Sequence, residues 1–272
     1  MKKPIVIATT IQKGGVGKTT TCESLAAAFV QKELKTLVID MDPQTNASQH
    51  CGVDLEDAET PFLTMYEVLS PTQKTKHRLS ECIQHCESFD LAPASAEMAS
   101  LEMELAGKFQ VNALKKAINQ DPSITENYDI ILIDSGPTQG LVTTNILCAS
   151  DFCLFPTHCS IDGRNAVLTM YESVLEMKEN FNPNLDILGI VITQYERVTK
   201  VGKQTKQEIE EIGAGLNLRV FGTPIRQCAA VEKAKAATKN VIAFDPKCAA
   251  AQDYMALAEE IISALSEKGS EL

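Results

Sequence analysis

A chain of 272 residues with 44% apolar and 22% charged content has the make-up of a globular protein large enough to bury a full core. No run approaches the roughly 18 to 20 uninterrupted apolar residues of a membrane-spanning helix, and nine scattered cysteines without a C-x-x-C pair speak against a disulfide framework and for reduced thiols in the cytoplasm. The formal charge of −11 argues against a surface coated in basic residues, though not against a local patch.

In chain order, the apolar run at 4–10 predicts a strand that passes straight into KGGVGKTT and then into an apolar-periodic helix over 18–33. Strand, glycine-rich turn and helix N-terminus together gather backbone N–H groups and the positive end of a helix dipole around an anion. In such a cradle Gly14, Gly15, Val16, Gly17, Lys18, Thr19 and Thr20 surround phosphate. Lys18 reaches the β- and γ-phosphates as a point charge, and the Thr19 hydroxyl completes the coordination of Mg²⁺. The loop departs from G-x-x-x-x-G-K-[ST]: Gln12 stands where the first glycine belongs, followed by an additional lysine, Lys13.

A second strand at 35–40 ends in LVIDMDPQTNAS, which sets Asp40 and Asp42 two residues apart beside the expected phosphate site. With a side-chain period of two, both carboxylates leave on the same side until the chain turns at Pro43. One suits the magnesium shell, and the other orients or deprotonates a water for attack on the γ-phosphate. The stretch 54–88 is the least regular, with Pro61 and Pro71, and is expected as an excursion. Within it, His77, Cys82, His85 and Cys86 lack the paired spacing of zinc knuckles, while Cys82, Ile83 and Cys86 fit the buried stripe of a short helix.

A strand at 89–92 and a helix over 94–119 lead to the strand of YDIILIDSGPTQG at 129–134. Its terminal Asp134 offers the metal a second carboxylate, and the glycine-punctuated turn at 135–140 is short enough to move with a γ-phosphate. Strands follow at 151–156, 185–193 and 218–223, with helices at 140–149, 162–179, 203–212, 229–238 and 247–266. Runs such as IILID and LGIVIT, apolar on consecutive positions, belong to strands covered on both faces. The alternation predicts an α/β fold: a doubly wound, mostly parallel sheet flanked by helices, binding ligands at the carboxyl ends of its strands. Lacking repeats or low-complexity linkers, residues 1–272 read as one nucleotide-binding domain.

Between residues 196 and 239, nine Lys or Arg face five Glu, a positive window in an acidic chain. Lys200, Lys203, Lys206, Arg226, Lys233 and Lys235 are its candidate contacts to the phosphates of non-specific DNA. The last stretch, DYMALAEEIISALSEKGSEL, carries an apolar stripe through Met255, Ala258, Ile261, Ile262 and Leu265. Its polar side is acidic and repelled by anionic membranes, so the stripe is read as core.

The three motifs, in this order and spacing, resemble the ParA/MinD branch of P-loop ATPases, whose deviant Walker A motif carries the lysine that stands here as Lys13. DMDPQTNAS, TPIRQ at 223–227 and FDPKCAAAQDYMALAEEI are most similar to the short ParA/Soj partition proteins, which lack a DNA-binding domain ahead of the first strand. The resemblance implies ATP and Mg²⁺ as cofactors and a homodimer sandwich formed on ATP binding, in which Lys13 of one subunit reaches phosphates held by the other. It implies phosphate and Mg²⁺ binding by Lys18 and Thr19, positioning of the attacking water by Asp42, a Walker B carboxylate in Asp134, and Thr223, Pro224 and Ile225 near the adenine. It further implies non-specific DNA as a partner, a ParB-like or adaptor protein that stimulates hydrolysis, no membrane, and a cytoplasmic protein held on the nucleoid when loaded with ATP.

Departures from the pattern are the SGPTQG switch at 135–140, Ile11 in place of asparagine and Ala230 in place of a basic residue. The alternatives are a MinD-like membrane-cycling ATPase, a ParA-like protein that positions a protein cargo, a nitrogenase-reductase-like electron carrier, and a metabolic kinase or ligase on the same nucleotide core. The electron carrier would need cysteines shortly after Asp134, whereas Cys148 and Cys153 fall on a helix end and a strand.

Overall fold

Seven strands form one sheet in the computed structural model, which describes residues 3–53, 62–196, 200–270 and 272. The strands are β1 (Ile5–Thr9), β2 (Thr36–Asp40), β3 (Gln84–His85), β4 (Asp90–Ala92), β5 (Ile130–Asp134), β6 (Phe152–His158) and β7 (Asp186–Thr193). They lie in the order β3-β4-β2-β5-β1-β6-β7, parallel throughout except for the β3–β4 edge pair. The helices are α1 (Lys18–Gln31), α2 (Asn46–His50), α3 (Met65–Leu69), α4 (Met98–Gly107), α5 (Ala113–Asn119), α6 (Pro122–Thr125), α7 (Leu141–Ala149), α8 (Ile161–Asn180), α9 (Lys200–Gly215), α10 (Ala229–Ala236), α11 (Val241–Phe244) and α12 (Ala249–Glu267).

Period-two alternation along the buried strands splits the core into two layers. Val6, Ala8, Ile131 and Ile133 point to one face, with Leu101, Leu114, Ile146 and Val167 from α4, α5, α7 and α8. Ile5, Ile7, Ile130 and Leu132 point to the other, with Leu25 and Phe29 of α1 and Tyr254, Leu257 and Ile261 of α12. Ala258, Ile261 and Leu265 of the expected stripe are buried in that layer, while Met255 and Ile262 are half-buried at its edge. Among the described residues no helix is long and apolar enough to cross a membrane.

The register that positions the site is the pairing of Thr9 with Asp134 and of Asp40 with Asp134. The carboxyl ends of β1, β2 and β5 are therefore level, and the acidic ends of β5 and β2 lie on one side of the turn that leaves β1.

Three expectations are corrected. Residues 218–223 form no strand. They bond β7 only around Ile190 (Ile190 N–H to Arg219 O, 2.9 Å; Phe221 N–H to Ile190 O, 3.0 Å), and pairing resumes at Ile225 N–H to Ile192 O, 2.8 Å. Between these points the Gly222 N–H turns to Glu260, and Pro224 has no N–H to donate. The helix expected over 94–119 is two, because the chain after Gly107 reverses through Phe109 at φ 51, closed by Gln110 N–H on Leu105 O at 3.1 Å. Cys82, Ile83 and Cys86 share no helix: a 3₁₀ turn at Leu79–Cys82 ends as the chain extends into β3.

Candidate functional site

The loop after β1 is built by two glycines in the left-handed region, Gly15 at φ 74 and Gly17 at φ 79, where a β-carbon is strained. Gly17 is the N-cap of α1, and no side chain caps that helix, so its first-turn N–H groups remain available to an anion. The loop is held from β7: the Thr193 hydroxyl donates to Val16 O at 2.8 Å, and the Gln194 amide donates to Gly15 O at 2.8 Å. Sequence reasoning missed both residues. The available signal was their position at the carboxyl end of the LGIVIT strand, the ligand edge of a doubly wound sheet. Lys18 is buried, and its ammonium donates to Lys13 O at 2.8 Å. Burial pushes its pKa down, against the pull of Asp134 and Asp42.

The three carboxylates have different surroundings. Asp40 is fully engaged: Oδ1 accepts the Asp42 N–H at 3.0 Å, and Oδ2 accepts the Ser48 N–H at 3.0 Å and hydroxyl at 2.7 Å. Burial raises it to about 6 despite those donors. Asp42 accepts the Gln44 N–H at 2.9 Å and lines the cleft described below, and a β-carbon on Gly136 would lie 3.5 Å from its carboxylate. Asp134 is wholly buried, and no hydrogen bond of normal geometry reaches either of its oxygens. Burial pushes it well above the carboxylate range and Asp40 adds to the shift, while the neighbouring Thr19 hydroxyl pulls it down. A bare, buried carboxylate beside a threonine hydroxyl fits a hard cation, whose charge offsets the cost of ionising it.

The turn after Asp134 is pinned at both ends. The Ser135 hydroxyl donates to Thr9 O at 3.0 Å, and Glu102 of α4 accepts the N–H groups of Leu141 (2.5 Å) and Val142 (3.0 Å) at the start of α7.

A cleft of about 550 Å³ opens over α1. It is lined by Gly14, Gly15, Gly17, Lys18, Thr19 and Thr20 of the loop and α1, by Asp42, by Ile225 with residues 226–229, and by Tyr254. Val16 is buried beneath the loop rather than facing the cleft. Of the three residues expected near the adenine, only Ile225 lines this space; Thr223 turns its hydroxyl to Glu260. His77 bonds Glu81 and His85 bonds Asp90, while Cys82 faces Leu79 O, so these side chains do not converge. Among the described residues no group of three or more His, Cys, Asp or Glu is arranged to hold a metal.

The AAA domain family profile matches residues 4–187. The chain is 31% identical to the sporulation initiation inhibitor protein Soj of Bacillus subtilis over 257 residues, 94% of this chain and 97% of that protein. The chain belongs to the ParA/Soj family of P-loop ATPases. Solved structures share the fold. One is a cobyrinic acid a,c-diamide synthase of Mycobacterium smegmatis with bound ATP analogue and magnesium (TM-score 0.81, 24% identity, 98% of this chain and 97% of that one). Another is a plasmid partition protein of Borrelia burgdorferi bound to AMPPNP (TM-score 0.77, 22% identity, 98% and 100%).

In this ParA/Soj chain the additional lysine faces away from its own cleft. Lys13 donates to the Ser160 hydroxyl at 3.2 Å, lies 3.7 Å from Asp162, and lines a separate groove with Asn165 of α8. The basic window is largely neutralised. Lys206 pairs with Glu210, Lys235 with Glu232, and Arg226 forks onto Asp253 of α12 at 2.7–3.1 Å. Arg226 and Lys235 line the cleft. Lys203 and Lys233 are exposed, and no ion pair among the described residues closes on them; the side chain of Lys200 lies outside the described residues.

Proposed function

We propose that this chain is an ATP-driven partition or positioning switch that works as one nucleotide-binding domain. It binds Mg-ATP in the cleft over α1, pairs with a second copy through the bound nucleotide, holds non-specific DNA in that state, and releases it when a ParB-like or adaptor partner stimulates hydrolysis. The observation that carries this reading is the bare carboxylate of Asp134, level with the phosphate loop and beside Thr19. Thr19 and Asp134 would hold Mg²⁺, which supplies charge neutralisation at the phosphates. Asp40, with both oxygens engaged by Ser48 and Asp42, instead shapes the turn that presents Asp42.

The chain's own groups do the rest. The α1 N–H groups and Lys18 bind phosphate, Asp42 orients the attacking water, and Ile225 supports the base. The outward position of Lys13 supports its action across a dimer interface, where a second cation meets the phosphates only when two loaded subunits face each other. Lys203 and Lys233 are the residues best placed for DNA phosphate. A membrane-cycling reading loses support because the stripe of α12 is buried against α1. Such a protein is cytoplasmic and nucleoid-associated when ATP-bound.

The test is Mg²⁺-dependent ATP hydrolysis by the purified chain, with DNA binding followed against salt. The expected outcome is hydrolysis that requires Lys18, and ATP-dependent DNA binding that weakens in a Lys203→Glu, Lys233→Glu double variant. A folded protein that neither binds nor hydrolyses Mg-ATP contradicts the reading.

A further inference from the structure

The turn after Asp134 is fastened at its far end by a side chain outside the nucleotide cleft. Glu102 of α4 accepts the Leu141 N–H at 2.5 Å and the Val142 N–H at 3.0 Å, so one carboxylate caps the first turn of α7. Gly140 lets it come that close. A β-carbon on Gly140 would lie 2.7 Å from Cδ and Oε2 of Glu102 and nearer still to Oε1. The backbone at Gly140 is extended, a conformation open to any residue, so the approach of Glu102 accounts for this glycine.

Glu102 is itself held in place. Leu101 and Leu105 on either side anchor α4 in the core. Glu104, two residues on, accepts hydroxyls from Tyr66 (2.9 Å), Thr72 (3.0 Å), Ser100 (3.1 Å) and Ser70, which braces α4 against α3 and the loop that follows it. The near end of the turn is fixed by the Ser135 hydroxyl on Thr9 O at 3.0 Å, and the Thr143 hydroxyl of α7 donates to Thr138 O at 2.7 Å, which ties the turn to α7. Between these anchors Pro137 lines the nucleotide cleft, and Gly136 lies against Asp42, where an added β-carbon would stand 3.5 Å from the carboxylate.

We propose that Glu102 is a positioning residue for ATP hydrolysis: by fixing the start of α7 it holds the turn at 135–140 against Asp42, and with it the geometry in which Asp42 orients the attacking water. The role rests on the nucleotide reading above. Loss of the clamp frees one end of the turn, which then samples positions away from Asp42, and the rate falls. Nucleotide bound by the loop and α1 keeps its affinity.

The experiment measures steady-state hydrolysis against Mg-ATP concentration, at protein concentrations that saturate dimerisation, with a thermal melt of each protein. The full-length parent is compared with Glu102→Ala, Glu102→Gln, Gly140→Ala and the Glu102→Ala, Gly140→Ala double variant. Glu102→Ala should lower kcat by about tenfold and leave KM within about twofold. Glu102→Gln, which keeps one carbonyl acceptor, should lose less. Gly140→Ala leaves the carboxylate in the chain but displaces it from the α7 N-terminus, and should match Glu102→Ala. Because both changes break one contact, the double variant should be no slower than the slower single variant.

A cap that serves stability alone would lower the melting temperature and leave kcat where it was. The proposal is overturned by that result in Glu102→Gln or Gly140→Ala, by a raised KM at constant kcat, or by effects that multiply in the double variant. Should Glu102→Ala fail to fold, the other two single variants decide. A parent protein that does not hydrolyse Mg-ATP overturns the nucleotide reading and this role with it, whereas an active parent with indifferent variants overturns the positioning role alone.

Discussion

Lys18 and Lys13 stand five residues apart on one loop, yet they belong to different surfaces. Lys18 is buried under the loop, depressed by desolvation and supported by Asp134 and Asp42. Lys13 lies in an outer groove against the Ser160 hydroxyl and the exposed carboxylate of Asp162. A buried cation acts on what enters its own cleft. A cation on an outer groove, held by a hydroxyl and one solvent-exposed carboxylate, is free to exchange that carboxylate for a charge brought by another molecule. On the proposed reading one short loop would address a ligand and an interface separately, which is what an assembly controlled by nucleotide requires.

The largest expected effect is on the inner lysine. Lys18→Ala should lower ATP hydrolysis by about 10²-fold or more, measured as phosphate release, because a preorganised charge on the phosphates is lost. Lys13→Ala should behave differently: Mg-ATP still binds the monomer, but ATP-dependent dimerisation, followed by light scattering, is lost and hydrolysis falls with it. Equal loss of monomer binding in both variants would erase the distinction between the two surfaces.

Asp134→Asn sharpens the comparison from the acidic side, since it removes a charge that acts on Lys18. Hydrolysis should be lost while nucleotide-free stability at neutral pH rises by roughly 1–2 kcal/mol, because a bare buried charge is relieved. The pH dependence follows in sign. Asp40 and Asp134 are raised in the folded state, Asp40 to about 6, above the unfolded value of about 3.9. Their contribution is full below the unfolded value and lost as pH rises, for Asp40 through about 6. The nucleotide-free melting temperature should therefore fall as pH rises from about 4 through about 6, and fall less in Asp134→Asn. The smallest effect belongs to Asp162→Asn: a partner 83% exposed holds Lys13 by about 1 kcal/mol or less, so ATP-dependent dimerisation should shift to only slightly lower protein concentration.

Much of this was legible in the sequence wherever the determinant is local. The phosphate loop follows from glycines at positions that need positive φ, and β5 with its terminal Asp134 follows from an apolar run too continuous for a surface strand. What escaped depends on contacts between distant segments. Asp40 reads in sequence as a metal ligand, and nothing local to it shows that the Ser48 N–H and hydroxyl, one turn into α2, lie on its carboxylate. Thr193 and Gln194 support the loop from more than 170 residues away. Arg226 reads as a DNA contact in sequence but meets Asp253 once α12 lies alongside. The broken strand at 218–223 is a mismatch of spacing with β7: Phe221 N–H bonds Ile190 O and Ile225 N–H bonds Ile192 O, so four residues of this segment span two of its neighbour.

The separation of the two lysines is tested most directly by mixing two variants each expected to be inactive alone, Lys13→Ala and Asp42→Ala, and measuring ATP hydrolysis. In a mixed dimer the Lys13→Ala subunit keeps an intact cleft with Asp42 and receives Lys13 from its partner. Activity should therefore appear in the mixture that neither variant shows alone. A mixture that forms dimers with ATP yet stays inactive, or a Lys13→Ala protein fully active by itself, would contradict the action of Lys13 across the interface.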